Sequence, residues 1–161
     1  VYIPLPTSIR TPWVLKAIEA GKHVLAEKPA AVDATELQRI LSAANANGVQ
    51  YMDGVMFMHS PRLPEMKKVL GDHANLGKMT RITTHFSFKA DEAFQRSNIR
   101  SNSNFEPMGC LGDLGWYCVR FILWANDYRE PVHVIGRTWK TFQSPDSPQP
   151  VPAEFSGDLV F

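Results

Sequence analysis

A chain of 161 residues with a formal net charge of +1, 20% charged and 44% apolar side chains has the make-up of an ordinary soluble protein, with room for one domain or parts of two. That balance supplies no basic patch for nucleic acid and no acidic tail, and no apolar run is long enough to cross a bilayer. Cys110 and Cys118 are too few for a disulfide framework, and the five histidines are scattered without His-x-x-x-His or Cys-x-x-Cys spacing, so no metal is expected.

Val1-Tyr2-Ile3 is a short β-prone run that ends in the turn Pro4-Leu5-Pro6-Thr7-Ser8. Thr11 is the expected N-cap of a first helix, with Pro12 in its first turn. Trp13, Val14, Ala17 and Ile18 recur at helical spacing, and Gly21 stops the helix. His23-Val24-Leu25-Ala26 then runs straight into Glu27-Lys28-Pro29. Parallel strands covered on both faces read as continuous apolar runs, and their ligands lie beyond the carboxyl ends. Glu27 and Lys28 therefore fall where an open α/β sheet does its chemistry. A solvated strand exit is the plainer alternative.

Asp33 and Glu36 have the spacing of a capping box, Leu37, Ile40, Leu41 and Ala44 form one stripe, and Gly48 closes this second helix. Residues 49–57 are again mostly apolar, with a tight Asp53-Gly54 step. Strand, helix, strand, helix, strand predicts a parallel sheet with packed helices. No Gly-x-Gly-x-x-Gly or Walker loop follows any strand. Either no nucleotide phosphate is bound, or the phosphate-binding half lies upstream of Val1. A start inside a strand, and an end in what reads as a strand just begun, favour a segment of a longer protein.

Beyond Phe57 the texture changes. Met58-His59-Ser60-Pro61-Arg62 is a polar crossing, followed by a short helix through Met66, Val69 and Leu70 and a loop over residues 71–77. Residues 79–88 alternate as a strand should, with Ile82, Thr84, Phe86 and Phe88 on one side. Residues 89–108 read as a long polar loop, of the kind that forms lids and binding loops. Residues 111–124 are helical in pattern, with Asp113 and Tyr117 on one face and Arg120, Phe121 and Trp124 on or beside it. Gly112 and Gly115 are costly in a helix unless something approaches closely, and a flat ring stacked on that surface would explain them. Alternatively, Tyr117 is a half-buried aromatic and Asp113 a carboxylate favoured by the helix dipole. On this helix Cys110 and Cys118 are expected to be buried thiols, which suits a reducing cytoplasm. Residues 132–142 form a further strand candidate, and residues 144–152 an exposed connection.

Pro4-Leu5-Pro6-Thr7, Ala20-Gly21-Lys22-His23-Val24-Leu25-Ala26-Glu27-Lys28-Pro29 and Gly112-Asp113-Leu114-Gly115-Trp116-Tyr117 together resemble the Gfo/Idh/MocA oxidoreductases. That family includes glucose–fructose oxidoreductase, inositol dehydrogenase and dimeric dihydrodiol dehydrogenase. The resemblance spans nearly the whole chain. It implies an α/β fold: residues 1–57 as the C-terminal part of a Rossmann-type parallel sheet binding NAD or NADP. Residues 58–161 would be an incomplete α+β substrate and oligomerisation domain with a largely antiparallel open sheet. The implied activity is hydride transfer between a nicotinamide and a secondary alcohol of a sugar, polyol or trans-dihydrodiol. A cytoplasmic homo-oligomer joined through the C-terminal sheet is implied as well, with no nucleic-acid or membrane partner.

By the same resemblance, Lys28 matches the family lysine beside the nicotinamide and the substrate hydroxyl. Glu27 and Pro4, Leu5, Pro6 and Thr7 match cofactor-lining positions, and Pro29 matches a cofactor-side proline that is often cis. Asp113 matches the family acid. Tyr117 falls where many members carry His and the sugar and dihydrodiol branches often carry Tyr. Arg10 departs from the pattern, which frequently has His there. Met58 replaces an arginine of an Arg-x-x-Pro element, leaving His59 and Arg62 as substrate-side candidates beside Asp113 and Tyr117. In the mechanism this implies, Tyr117 removes the hydroxyl proton, Lys28 favours its phenolate and polarises the carbonyl, and Asp113 orients Lys28 or the substrate. A silent sugar-binding homologue and an oligomerisation module remain the alternatives.

Overall fold

Three short parallel strands and two helices organise the first third of the computed structural model, which describes all of residues 1–161. Strand β1 (Tyr2–Ile3) pairs with β2 (Val24–Ala26), and β2 with β3 (Tyr51–Asp53), in the order β1-β2-β3. Helices α1 (Thr7–Glu19) and α2 (Ala34–Ala46) are the crossovers. Ile3, Val24 and Ala26 meet Val14, Leu15 and Ile18 of α1 and Ile40 and Ala44 of α2 in one core. Val14, Ile18 and Ile40 are fully buried, and each such side chain contributes roughly 1.5–3 kcal/mol. Tyr2, Leu25 and Met52, on the opposite face, are exposed, so this chain covers only one side of the sheet.

Helix α1 begins at Thr7 and not after Thr11, and Pro12 lies inside it. The reason is remote. The amide of Thr7 donates to the Glu106 carboxylate (3.0 Å) and that of Ser8 to the Phe105 carbonyl (3.1 Å), so the first turn is satisfied from the far end of the chain. Gly21 ends α1 at φ +69°, a left-handed conformation that glycine adopts without strain. Asp33 caps α2 by accepting from the Glu36 amide (2.8 Å), while Glu36 reaches back to the amide of Val32.

After a 3-10 turn (Met56–His59) come α3 (Arg62–Gly71) and the single turn α4 (His73–Leu76). Residues 79–88 carry no ladder. Ile82 and Thr84 are half-buried between exposed neighbours, so the alternation is real, but no second strand lies alongside. The stretch read as a continuous loop contains a helix, α5 (Glu92–Ser97), capped by Asp91 on the Phe94 amide (2.8 Å), and a 3-10 turn (Ile99–Ser101). A π-turn (Leu111–Gly115) opens helix α6 (Trp116–Ala125). Strands β4 (His133–Phe142) and β5 (Val151–Val160) then form an antiparallel ribbon in register from His133↔Val160 to Phe142↔Val151. The final residues thus continue a strand that starts at Val151. The connection before β5 is partly packed: Ser144, Ser147 and Val151 are buried, and the Ser103 amide donates to the Ser147 hydroxyl (2.9 Å).

Tyr51 gives the sheet a pH signature. Its hydroxyl donates to the Ala30 carbonyl (2.9 Å), and burial pushes the phenol up to about 12. A folded-state value above the unfolded one means the contribution is intact below about pH 10 and is lost as pH rises through about 12. The stability advantage of the native chain over Tyr51→Phe should be constant up to about pH 10 and shrink above it. Urea midpoints at stepped alkaline pH check this; parallel curves to pH 12 would remove Tyr51 from the account.

Candidate active site at the strand carboxyl ends

The exits of β1 and β2 are held together by one buried cation. Arg10 is 2% exposed; its Nε donates to the Leu5 carbonyl (2.8 Å) and its Nη1 to the carbonyls of Glu27 and Pro29 (2.5 Å to Pro29). A longer bond joins Nη2 to the Thr7 hydroxyl (3.4 Å). Burial pushes the guanidinium below its usual value, and the Glu106 carboxylate opposes that. The position where the resembled pattern has His is therefore a strut, using the fixed fork geometry that only arginine offers. The Lys28–Pro29 peptide is cis. Glu27 accepts from the Tyr2 hydroxyl (2.6 Å).

The second wall comes from residues 98–117. Besides the amide bonds to α1, the Thr7 hydroxyl donates to the second oxygen of Glu106 (2.6 Å) and the Ser8 hydroxyl to the Asn104 carbonyl. The stretch read as a lid or binding loop is stapled to the sheet over this part. Gly112 allows the π-turn to settle on Pro29: a Cβ there would lie 3.3 Å from the Pro29 ring and 3.0 Å from Met108. A proline ring from the other wall, and not a stacked ligand, accounts for this glycine. The nearest atom facing Gly115 is the flexible end of Leu111.

Asp113 and Tyr117 do share a face, and it meets Lys28. Lys28 Nζ lies 2.5 Å from Asp113 Oδ1 and 2.8 Å from the Asp113 carbonyl oxygen. The widened π-turn presents that carbonyl to a side chain, a use such turns often have at functional sites. Arg100 Nε binds the same Oδ1 at 2.8 Å. The side chains of Lys28 and Asp113 are 9% and 14% exposed, that of Arg100 39%. Lys28 Nζ also sits 5.1 Å from the Tyr117 ring centroid, within cation–π range. Phe57 (6.1 Å) and Phe86 (5.6 Å) flank the Tyr117 ring, and its hydroxyl makes no hydrogen bond within the chain. Burial raises the phenol above its usual value; Asp113 and Glu27 add to this and Arg100 opposes it. Lys28, expected to favour phenolate, is paired with Asp113 and lies against the face of the ring, while the phenol itself stands above its usual value.

Other expected site residues fall elsewhere. Thr7 has its amide and hydroxyl engaged by Glu106. Pro4 is exposed, Leu5 and Pro6 are half-buried at the β1 exit, and Pro29 is buried beneath Gly112. His59 is exposed on the turn that brings Phe57 to Tyr117, and the exposed Arg62 donates from Nε to the Ser60 hydroxyl (3.3 Å). Neither hydrogen-bonds Lys28, Asp113 or Tyr117. Cys110 and Cys118 are free and half-buried. Three residues were not foreseen in their roles. Arg100 shares Asp113, Glu106 closes the N-terminus of α1, and Asp53 accepts from Trp116 Nε1 (3.0 Å) and Arg120 Nη2 (2.6 Å), tying α6 to the end of β3. The one available signal was that Trp116 and Arg120 lie four apart on a helix, facing a strand-end carboxylate.

The donor set fits the nicotinamide end of a dinucleotide: apolar Pro4, Leu5 and Pro6 line one exit, and an acid and an ammonium sit at the next. It does not supply the phosphate end, because Glu106 occupies the α1 N-terminus and Asp33 caps α2.

Residues 1–55 match the model of GFO_IDH_MocA, an oxidoreductase family with an NAD-binding Rossmann fold. Over 120 residues the chain is 32% identical to a dTDP-3,4-didehydro-2,6-dideoxy-alpha-D-glucose 3-reductase from Actinomadura kijaniata, covering 74% of this chain and 35% of that protein. It is 30% identical over 143 residues to the trans-1,2-dihydrobenzene-1,2-diol dehydrogenase of Mus musculus, covering 87% of this chain and 41% of that one. A crystal structure of a 3-ketoreductase from Actinomadura kijaniata in complex with NADP and TDP-benzene superposes with a TM-score of 0.64 at 28% identity, covering 78% of this chain and 37% of that one. The chain spans about a third of the length of the first of these relatives.

Proposed function

From a chain that belongs to the Gfo/Idh/MocA oxidoreductase family, we infer one part of an NAD(P)-dependent dehydrogenase or reductase site. Hydride would pass between the nicotinamide and a secondary alcohol carbon of a sugar, polyol or trans-diol. The observation that carries this reading is the convergence of Lys28, Asp113 and Tyr117, with the ammonium 2.5 Å from the carboxylate and 5.1 Å from the phenol ring.

Pro4, Leu5, Pro6, Glu27 and Pro29 would hold the nicotinamide end, which when bound supplies the hydride acceptor or donor. Lys28 has three N–H donors. Asp113 takes two, through Oδ1 and its carbonyl, and leaves one for the substrate oxygen. Tyr117 Oη, which has no partner in the chain, accepts the hydroxyl proton during oxidation and returns it during reduction. Phe57 and Phe86 pack against its ring and keep it in place. His59 and Arg62 are proposed on the substrate side. Residues 1–57 act as the cofactor side, and residues 58–161 as the substrate and assembly side. The exposed Val134, Ile135 and Trp139 of β4 support assembly into a homo-oligomer through that sheet. A cytoplasmic location is proposed with it; no helix is long and apolar enough to cross a membrane.

The test is a screen of the whole protein with NAD or NADP against aldoses, inositols and trans-diols, read as NAD(P)H absorbance. At least one class should turn over, and Lys28→Met should lower that rate by about 10²-fold or more. Cofactor binding without turnover of any of them would move the reading to a silent homologue.

A further inference from the structure

We propose that Arg100 is a positioning residue of this site: by clamping Asp113 it fixes the Lys28–Asp113 pair over the Tyr117 ring and balances the carboxylates that face the phenol. The proposal rests on reading Tyr117 as the proton-transfer group.

Three observations carry it. First, Asp113 Oδ1 is held at once by Lys28 Nζ (2.5 Å) and Arg100 Nε (2.8 Å), so the carboxylate has two cations and one orientation. Second, Arg100 does not stand on a loose loop. Its amide donates to the Asn98 side chain (3.0 Å), and the neighbouring Ser101 is fully buried and donates to the Phe94 carbonyl (3.1 Å). The stretch continues into the Glu106 staple on Thr7. Third, Asp113 and Glu27 are the anions set against Tyr117, and Arg100 opposes them from its seat on Asp113 Oδ1. Without Arg100, Asp113 would keep Lys28 as its single cation, and its charge would weigh more heavily on the phenol.

The titratable and charged groups on the elements packed against Tyr117 are few. They are Glu27 and Lys28 at the β2 exit, Asp53 at the end of β3 with its partner Arg120, Arg100 on the loop, Asp113 on its own helix, His59 behind Phe57 and His85 beside Phe86.

The experiment titrates the whole protein, cofactor-free, labelled with ¹³Cζ-tyrosine. Tyr117→Phe identifies its resonance among the tyrosines. Arg100→Gln should move the Tyr117 midpoint upward by roughly half a pH unit or more. Arg100→Lys, which keeps the charge, should restore most of that, and Asp113→Asn should move the midpoint downward. Mere loosening of the loop would shift both neutral variants in the same direction. A midpoint unmoved in Arg100→Gln, or an Arg100→Lys midpoint equal to that of Arg100→Gln, overturns the proposal. The titration decides the role of Arg100 independently of turnover, whereas turnover of Tyr117→Phe decides the reading on which it rests.

Discussion

Replacing Tyr117 by Phe lowers turnover by about 10²–10⁴, the usual contribution of a general acid–base, while the protein folds as before. The substitution is unusually clean. The hydroxyl makes no hydrogen bond within the chain, so its loss leaves no buried partner unsatisfied. The packing of the ring against Phe57 and Phe86, and the approach of Lys28 Nζ to its face, do not need the oxygen. The effect should fall on kcat and leave KM within a few-fold. The direction of the phenol shift adds a sign. A phenol raised above its ordinary value of about 10 is protonated across the neutral range, in the form that donates to a nascent alkoxide. Carbonyl reduction should therefore be flat with pH near neutrality, and alcohol oxidation should climb as pH rises towards the phenol value. Tyr117→Phe should abolish that climb. Unchanged turnover at saturating substrate would dismiss Tyr117 from the reaction.

Replacing Arg10 by Met should cost about 3–5 kcal/mol of stability. Removing the guanidinium strands the buried Pro29 carbonyl, worth about 1–3 kcal/mol when left unpaired, and the partly buried carbonyls of Leu5 and Glu27. It also removes a positive charge that interacts with the Glu106 carboxylate. Arg10→Lys should recover less than half, because a single ammonium cannot span three carbonyls in a plane. Urea midpoints and slopes read the loss directly. A change below about 0.5 kcal/mol would mean that water replaces the guanidinium at no cost, and the strut would have no energetic role. Nicotinamide affinity should fall together with stability, since the two exits joined by Arg10 are those proposed to hold the ring.

What could be read without coordinates was local or periodic. The apolar β2 run delivered Lys28 to a strand exit, Gly21 and Gly48 ended their helices, and the four-residue spacing put Asp113 and Tyr117 on one face. What escaped depends on partners distant in the chain. Thr11 is the better local N-cap, yet Glu106, about a hundred residues away, sets the start of α1 at Thr7. Gly112 looked like a seat for a flat ring, but Met108 and the distant Pro29 take that space. Residues 79–88 show that alternation reports a two-faced segment and not the presence of a neighbouring strand. Arg100 was one cation among several in a polar stretch, and only folding sets it against Asp113.

The staple at Thr7 and Ser8 bears on how small molecules come and go. The amides and hydroxyls of the first turn of α1 are tied to residues 104–106, and the Lys28 ammonium to Asp113 a few residues further on. Separating the two walls would break all of these bonds together, which opposes their moving apart. A small molecule is then expected to reach Tyr117 past the solvent rim, where Phe86 stands half in water.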